Sequence, residues 1–146
     1  MTEPEMVTPP QIDRHIENVL NEAVNGGLSL AREAVNEQRD RWYGQLAVNS
    51  YDSLSASSDP ETVLPVAASV ELLGGYARLR SRLLITITDK WAHSLTLDPT
   101  SALLASDYLY TAAFSSLRSI PDDTVSSDCF EILTTVLESV TEAFSR

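Results

Sequence analysis

The side chains best placed to do chemistry are three arginines in the stretch ARLRSRLLITIT, residues 77–88. Arg78, Arg80 and Arg82 belong to a set of ten Lys and Arg residues in the whole chain. Arg78 and Arg82 are four residues apart and share one face of a helix, where two guanidinium groups can hold a diphosphate through paired hydrogen bonds. The alternative is that they pair with acidic residues of this chain or of a partner, and the acidic composition favours that interpretation.

Other reactive side chains are few and scattered. Cys129 is the single cysteine, and its apolar neighbours on a predicted helix indicate a small buried side chain. Neither His15 nor His93 has a spacing that suggests pairing with it for nucleophilic catalysis. Asp122 and Asp123 stand at a predicted helix start, where carboxylates cap free amides, so capping is preferred to a metal site. The sequence has no phosphate-binding loop, dinucleotide fingerprint, HExxH motif or nucleophile elbow.

The composition is strongly acidic. Asp and Glu number 21 against ten Lys and Arg, which gives a formal net charge of −11. A chain with this charge repels nucleic acid and anionic membranes, so neither is an expected partner. Lys90 is the single lysine, and an acidic chain that is poor in lysine resembles the proteins of salt-loving microbes. We therefore interpret the protein as halophilic.

The N-terminus gives no sign of export. The stretch MTEPEMVTPPQ is acidic where a secretion signal is basic and then apolar, and the chain has no run of about eighteen apolar residues. These features predict a cytoplasmic protein that does not insert into a membrane.

Helical periodicity predicts the elements that position these residues. We expect an all-α, antiparallel bundle of five main helices in one domain spanning residues 1–146, with a flexible N-terminus over 1–9 and a loop over 50–60. The first helix carries Ile12 and Ile16 and stops at the glycine pair 26–27. The second runs over 28–48, and its predicted buried side comprises Leu30, Ala34, Trp42 and Leu46.

The third predicted helix holds the arginines. Asp59 caps it, Pro60 takes its first position, and apolar residues then recur every three or four positions. That stripe consists of Leu64, Ala68, Leu72, Tyr76, Leu79, Leu83 and Ile87. A fourth helix opens at Asp98, and a fifth follows Pro121.

Two blocks of the sequence carry a resemblance. PVAASVELLGGYARLRSRLL covers residues 65–84, and SALLASDYLYTAAFSSL covers residues 101–117. In order and separation they resemble the trans-isoprenyl diphosphate synthase (polyprenyl synthetase) family, in which AAAVELIHxxSLIHDDxxD is followed by AILAGDxLLxxAF. The resemblance implies the N-terminal half of the isoprenoid synthase fold, in a haloarchaeal protein. The matching residues of the second block are Ala102, Leu103, Leu104, Ala105, Asp107, Leu109 and Phe114.

The resemblance also implies what the chain lacks. In the family, aspartates one turn apart on the third helix face a central cavity and hold the magnesium ions that bind an allylic diphosphate. The corresponding positions here are Ser81, Arg82 and Ile85, which cannot assemble that site, so no metal and no cofactor is expected. Asp107 keeps the family's residue, but its role there is chiefly structural.

The leading functional hypothesis is a non-catalytic partner or regulatory subunit of isoprenoid biosynthesis. Such a chain is expected to form a homo- or hetero-oligomer, with a full-length prenyl synthase as a candidate partner. One alternative is an active prenyltransferase with a divergent site, or a fragment of one. Another is a helical interaction module unrelated to isoprenoids. No catalytic residue is assigned, and Arg78 and Arg82 remain candidates for binding an anionic substrate.

Overall fold

The computed structural model describes residues 7–21, 29–37, 40–54, 59–88 and 98–145. Within these ranges the chain forms six helices and no strand, which confirms the all-α prediction. None of the described helices is both long and apolar enough to cross a bilayer. The helices are α1 (Pro9–Asn21), α2 (Ser29–Asn36), α3 (Trp42–Leu54), α4 (Pro60–Thr88), α5 (Pro99–Arg118) and α6 (Asp123–Phe144).

Helix α4 is the centre of the bundle and contacts each of the other five helices. It begins as predicted, with Pro60 at the first position and the Asp59 carboxylate accepting the backbone N–H of Glu61 at 3.1 Å. Its predicted stripe is buried at Ala68, Leu72, Tyr76, Leu79 and Leu83. Leu64 is half-buried, and the side chain of Ile87 lies outside the described residues.

Small residues let α4 approach α2 and α5 closely. Helix α5 buries mostly alanines and serines on the face that it turns to α4. At Gly75 of α4, an added Cβ would stand 2.8 Å from Cγ2 of Val35 and 3.2 Å from Cδ1 of Leu109. The contact of α2, α4 and α5 therefore requires glycine at position 75.

The second predicted helix is in fact two. Helix α2 ends at Asn36 and α3 begins at Trp42, with Arg41 between them in the left-handed region at φ 53°. This turn rotates α3 relative to α2, and as a result Trp42 is 55% and Leu46 50% exposed. Their prediction as buried residues was wrong, whereas Ala34 is buried as expected.

The predicted limits of the loop and of the flexible N-terminus agree with the structure only in part. Helix α3 extends to Leu54, so residues 50–54 of the predicted loop are helical. Residues 55–58, the N-terminal residues 1–6 and the glycine pair at 26–27 lie outside the described residues, as do Lys90 and His93. Of the predicted flexible N-terminus, Val7 is buried and Pro9 opens α1.

The last two helices begin at the predicted caps. The Asp98 carboxylate accepts the hydroxyl of Ser101 at 2.6 Å, and the Asp122 carboxylate accepts the N–H of Thr124 at 2.9 Å. The Ser101 hydroxyl bond lowers the pKa of Asp98. Helix α6 packs at the edge of the α4–α5 pair, and Leu133 is its one fully buried described side chain.

Candidate functional site

The predicted anion-binding arginines lie against the end of α2. Nε and Nη2 of Arg78 donate to the carbonyl oxygen of Ala34 at 3.0 and 2.7 Å, and Nε lies 3.5 Å from Oε2 of Glu37. Nη2 of Arg82 donates to Oε1 of the same carboxylate. We call Glu37, Arg78 and Arg82 the Glu37 cluster.

The Glu37 cluster is a surface feature. The side chain of Arg82 is 46% exposed, and that of Glu37 is 28% exposed. One carboxylate therefore meets two guanidinium groups in contact with solvent. The contacts agree with the interpretation that Arg78 and Arg82 pair with an acidic residue of this chain, and binding of an external anion stays a prediction.

Arg80 points to the opposite flank of α4. Its Nη2 donates to Oδ1 of Asp107 on α5, and its guanidinium carbon lies 5.5 Å from the centre of the Tyr76 ring. Its Nε is buried without a hydrogen-bond acceptor among the described residues. The three arginines thus serve two separate places, because Arg78 and Arg82 contact the α2 side.

The positions that correspond to the family's magnesium site do not fit the ion. Ser81 and Ile85 are exposed, and Arg82 between them is a cation that contacts Glu37. Magnesium prefers several hard, anionic oxygen ligands, and this turn offers one neutral hydroxyl. Elsewhere in the described ranges, no group of three or more His, Cys, Asp or Glu side chains could hold a metal.

A buried charged network lies deeper in the bundle, and the sequence analysis missed it. Arg41 is 4% exposed and donates from Nε to Asp13, from Nη1 to the carbonyl oxygen of Val35 at 2.7 Å, and from Nη2 to Oδ1 of Asn36 at 2.7 Å. Its Nη1 also lies 3.9 Å from Oε2 of Glu71 on α4. We call Asp13, Asn36, Arg41 and Glu71 the Arg41 network.

Glu71 is the fully buried member of this network. Its Oε1 accepts the backbone N–H of Gly44 at 2.8 Å, whereas its Oε2 has no hydrogen-bond partner among the described residues. Burial raises the pKa of Glu71, and the Gly44 bond and the Arg41 charge oppose that shift. A glutamate inside the apolar run VELL was the sequence signal for this network, since such a side chain needs a partner.

The two other described side chains whose pKa burial shifts, His15 and Cys129, lie on different helices, α1 and α6. Burial lowers the pKa of His15, whose Nε2 is buried without a hydrogen-bond partner among the described residues. Burial also raises the pKa of Cys129, which disfavours the thiolate. Cys129 is half-buried on α6, so it is less enclosed than predicted.

An apolar groove opens where the C-terminal parts of α4 and α6 meet the start of α5. Its volume is about 400 Å³, and its apolar lining comprises Tyr76, Leu83, Leu84, Pro99, Leu103 and Phe144. Its polar lining comprises Arg80, Thr100 and Thr141. The segment that joins α4 to α5, residues 89–97, lies outside the described residues.

Tyr110 and Tyr108 of α5 contact different helices. The Tyr110 ring stands 6.1 Å from that of Tyr76 and 6.0 Å from that of Phe114. The hydroxyl of Tyr108 donates to the carbonyl oxygen of Leu20 at 3.4 Å. These contacts are those of aromatic side chains that pack between helices.

In comparisons with known proteins, no family model matches the sequence, and no curated protein or solved structure matches it either.

Proposed function

We propose that this chain is a non-catalytic, polyprenyl synthetase-like subunit that acts in isoprenoid biosynthesis by binding a full-length synthase in the cytoplasm. The main support for this proposal is the composition of the helical turn around Arg82. At the positions where the polyprenyl synthetase family holds magnesium, this chain has Arg82, which pairs with Glu37. The neighbouring positions are Ser81 and Ile85, which are both exposed. A helical scaffold with this turn lacks the oxygen ligands that diphosphate ionisation requires there.

An exposed aromatic surface on α3 supports the binding role. Trp42, Tyr43 and Leu46 are exposed, and the two aromatic rings meet edge to face at 5.6 Å. We call these three residues the α3 patch. Aromatic side chains are enriched at the energetic centres of protein interfaces. Residues 42–51 contain no charged side chain, so the patch itself adds nothing to the negative charge of the chain.

The charge of the chain makes its association with any acidic partner, a second copy included, depend on salt. Two copies with a net charge of −11 each repel one another. At high salt this repulsion is screened, which makes the native salt concentration part of any test. The partner that we propose is a longer synthase that retains its aspartate-rich motifs.

The test is purification of the tagged chain from its native cell at native salt, followed by identification of the proteins that accompany it. We expect an aspartate-rich prenyl synthase in a complex of defined size. The double variant Trp42→Ser/Leu46→Ser should lose the complex, whereas the matched α6 variant Ile132→Ser/Val136→Ser should keep it.

Three outcomes would overturn the proposal. Magnesium-dependent condensation of allylic and homoallylic diphosphates by the purified chain alone would identify an active prenyltransferase. Partners unrelated to isoprenoids would identify a general interaction module. A stable homo-oligomer that binds no synthase would contradict the choice of a second protein as the partner.

A further inference from the structure

The apolar groove has the size and lining of a small-molecule site. Its volume of about 400 Å³ lies within the range of about 300–1,000 Å³ that is typical of ligand pockets, which are mostly apolar with a few polar groups. Leu83 and Phe144 are among its apolar walls, and Arg80 is the one charged side chain among the described residues that line it.

We propose that the groove binds a small neutral amphiphile, an aliphatic chain with one acceptor oxygen that receives a hydrogen bond from Arg80. This proposal is independent of the function proposed above. It concerns the α5 flank of α4, where Arg80 contacts Asp107, and not the α2 flank, where Arg82 contacts Glu37.

Arg80 supplies the polar end of the site. A guanidinium group has five N–H donors, and among the described residues Arg80 has a single acceptor, Asp107. Its Nε is buried with its hydrogen-bonding capacity unused by those residues. The Arg80 side chain also lines the groove and is 26% exposed. A ligand oxygen there can accept a hydrogen bond from a guanidinium donor that water otherwise reaches, beside apolar walls that strengthen the bond.

The charge at the groove favours a neutral head group over an acid. The Asp107 carboxylate already neutralises Arg80, and the chain as a whole carries a net charge of −11. A carboxylate or phosphate in the groove would lie near the Asp107 carboxylate, whose repulsion acts at short range even where salt screens the net charge of the chain. A hydroxyl or carbonyl oxygen accepts the same hydrogen bond without that repulsion.

The test uses 1-octanol and octanoate as probes, which share an aliphatic chain and differ in the charge of the head. Titration calorimetry of the full chain at native salt should show saturable binding of octanol and weaker binding of octanoate. Arg80→Met keeps the apolar stem and removes the donors, and it should weaken octanol binding about tenfold, the effect of one hydrogen bond from a charged donor.

A matched pair of neighbours on α5 locates the site. Leu103 lines the groove and Leu104 does not, and both side chains are exposed. Leu103→Asp should abolish octanol binding, and Leu104→Asp should leave it unchanged. Thermal unfolding of each variant reports its fold, and if Leu103→Asp unfolds, the Arg80→Met titration decides. The proposal is overturned if the wild-type chain shows no saturable octanol binding, if octanoate binds more tightly, or if both aspartate variants weaken binding equally.

Discussion

Arginine side chains pair with carboxylates at two depths of the bundle, in the Arg41 network and in the Glu37 cluster. In the Arg41 network, a guanidinium that is 4% exposed contacts Glu71, Asp13 and two oxygens near the end of α2. In the Glu37 cluster, a side chain that is 46% exposed contacts a carboxylate that solvent also reaches. The same pair of chemical groups therefore occurs both inside the bundle and on its surface.

The depth decides what each pair does. A buried charge without its partner is strongly unfavourable, so the Arg41 network constrains how α1, α2, α3 and α4 fit together. An exposed ion pair is screened by water and salt, so the Glu37 cluster contributes little to stability. Arginines that bind a ligand are therefore more readily found at the surface, where replacing a paired carboxylate by the ligand costs little free energy.

The largest expected effect comes from breaking the buried pair. Arg41→Met keeps most of the side-chain volume and removes the stronger of the two arginine charges, Arg41 and Arg78, that act on Glu71. We expect the free energy of unfolding to fall by about 3–5 kcal/mol at neutral pH, measured by urea denaturation. Arg41→Met/Glu71→Gln should recover part of this loss, because both charges are then absent. A cost for Arg41→Met no larger than that of Arg82→Met would remove the distinction between the two groups.

The second-largest change in stability is expected at Gly75, which packs against α2 and α5, and not at its neighbour Gly74, which faces the Tyr43 ring. Gly75→Ala places a Cβ 2.8 Å from Val35 and should lower the free energy of unfolding by about 1–3 kcal/mol through overpacking. At Gly74 the nearest atoms are those of the Tyr43 ring at 3.3 Å, a half-exposed side chain that can shift. Gly74→Ala should therefore be neutral or stabilising by up to about 1 kcal/mol, since alanine favours helix. Equal losses at both positions would contradict this account.

The pH dependence of stability should reveal the buried glutamate. The pKa of Glu71 is raised in the folded chain, so above its ordinary range the unfolded state loses the proton first. The native state then binds more protons, and stability falls as pH rises through this window. Relative to Glu71→Gln, the wild-type chain should lose stability as the pH is raised above about 4.5.

Asp98, the carboxylate that caps α5, provides a control because its pKa is shifted in the opposite direction to that of Glu71. The pKa of Asp98 is lowered by its bond from Ser101, so its stabilisation is present above its ordinary range and is lost as the pH falls through the folded pKa. Relative to Asp98→Asn, the wild-type chain should therefore lose stability on acidification. A common slope for Asp98 and Glu71 would show that burial of Glu71 has no effect on titration.

The smallest effect is expected at the surface pair. Arg82→Ala should lower the free energy of unfolding by less than about 1 kcal/mol. Inorganic diphosphate should bind the variant and the wild-type chain alike, as measured by calorimetry, because Glu37 already occupies the guanidinium. Tight diphosphate binding that Arg82→Ala abolishes would instead assign an anion site to the Glu37 cluster.

The sequence predicted those parts of the fold that depend on local signals. The starts of α4, α5 and α6 follow from an aspartate beside a proline at each boundary, and the structure confirms all three. Each cap satisfies amides within one turn, so neighbouring residues suffice to identify it.

The break between α2 and α3 could not be predicted in this way. Leu30, Ala34, Trp42 and Leu46 continue a helical spacing through it, and no glycine or proline stands at residues 37–41. The left-handed conformation of Arg41 is disfavoured by its Cβ. Bonds to Val35 and to the distant Asp13 accompany that conformation, and such long-range contacts have no signature in the local sequence.

The few buried contacts of α6 have a consequence for its rate of amide exchange. Thr141 and Phe144 form one wall of the apolar groove, and they lie at the end of a helix that has one fully buried described side chain. Helices with few buried contacts open locally before the whole chain unfolds. A bound occupant that contacts Thr141 and Phe144 should therefore slow the amide exchange of α6 more than that of α4.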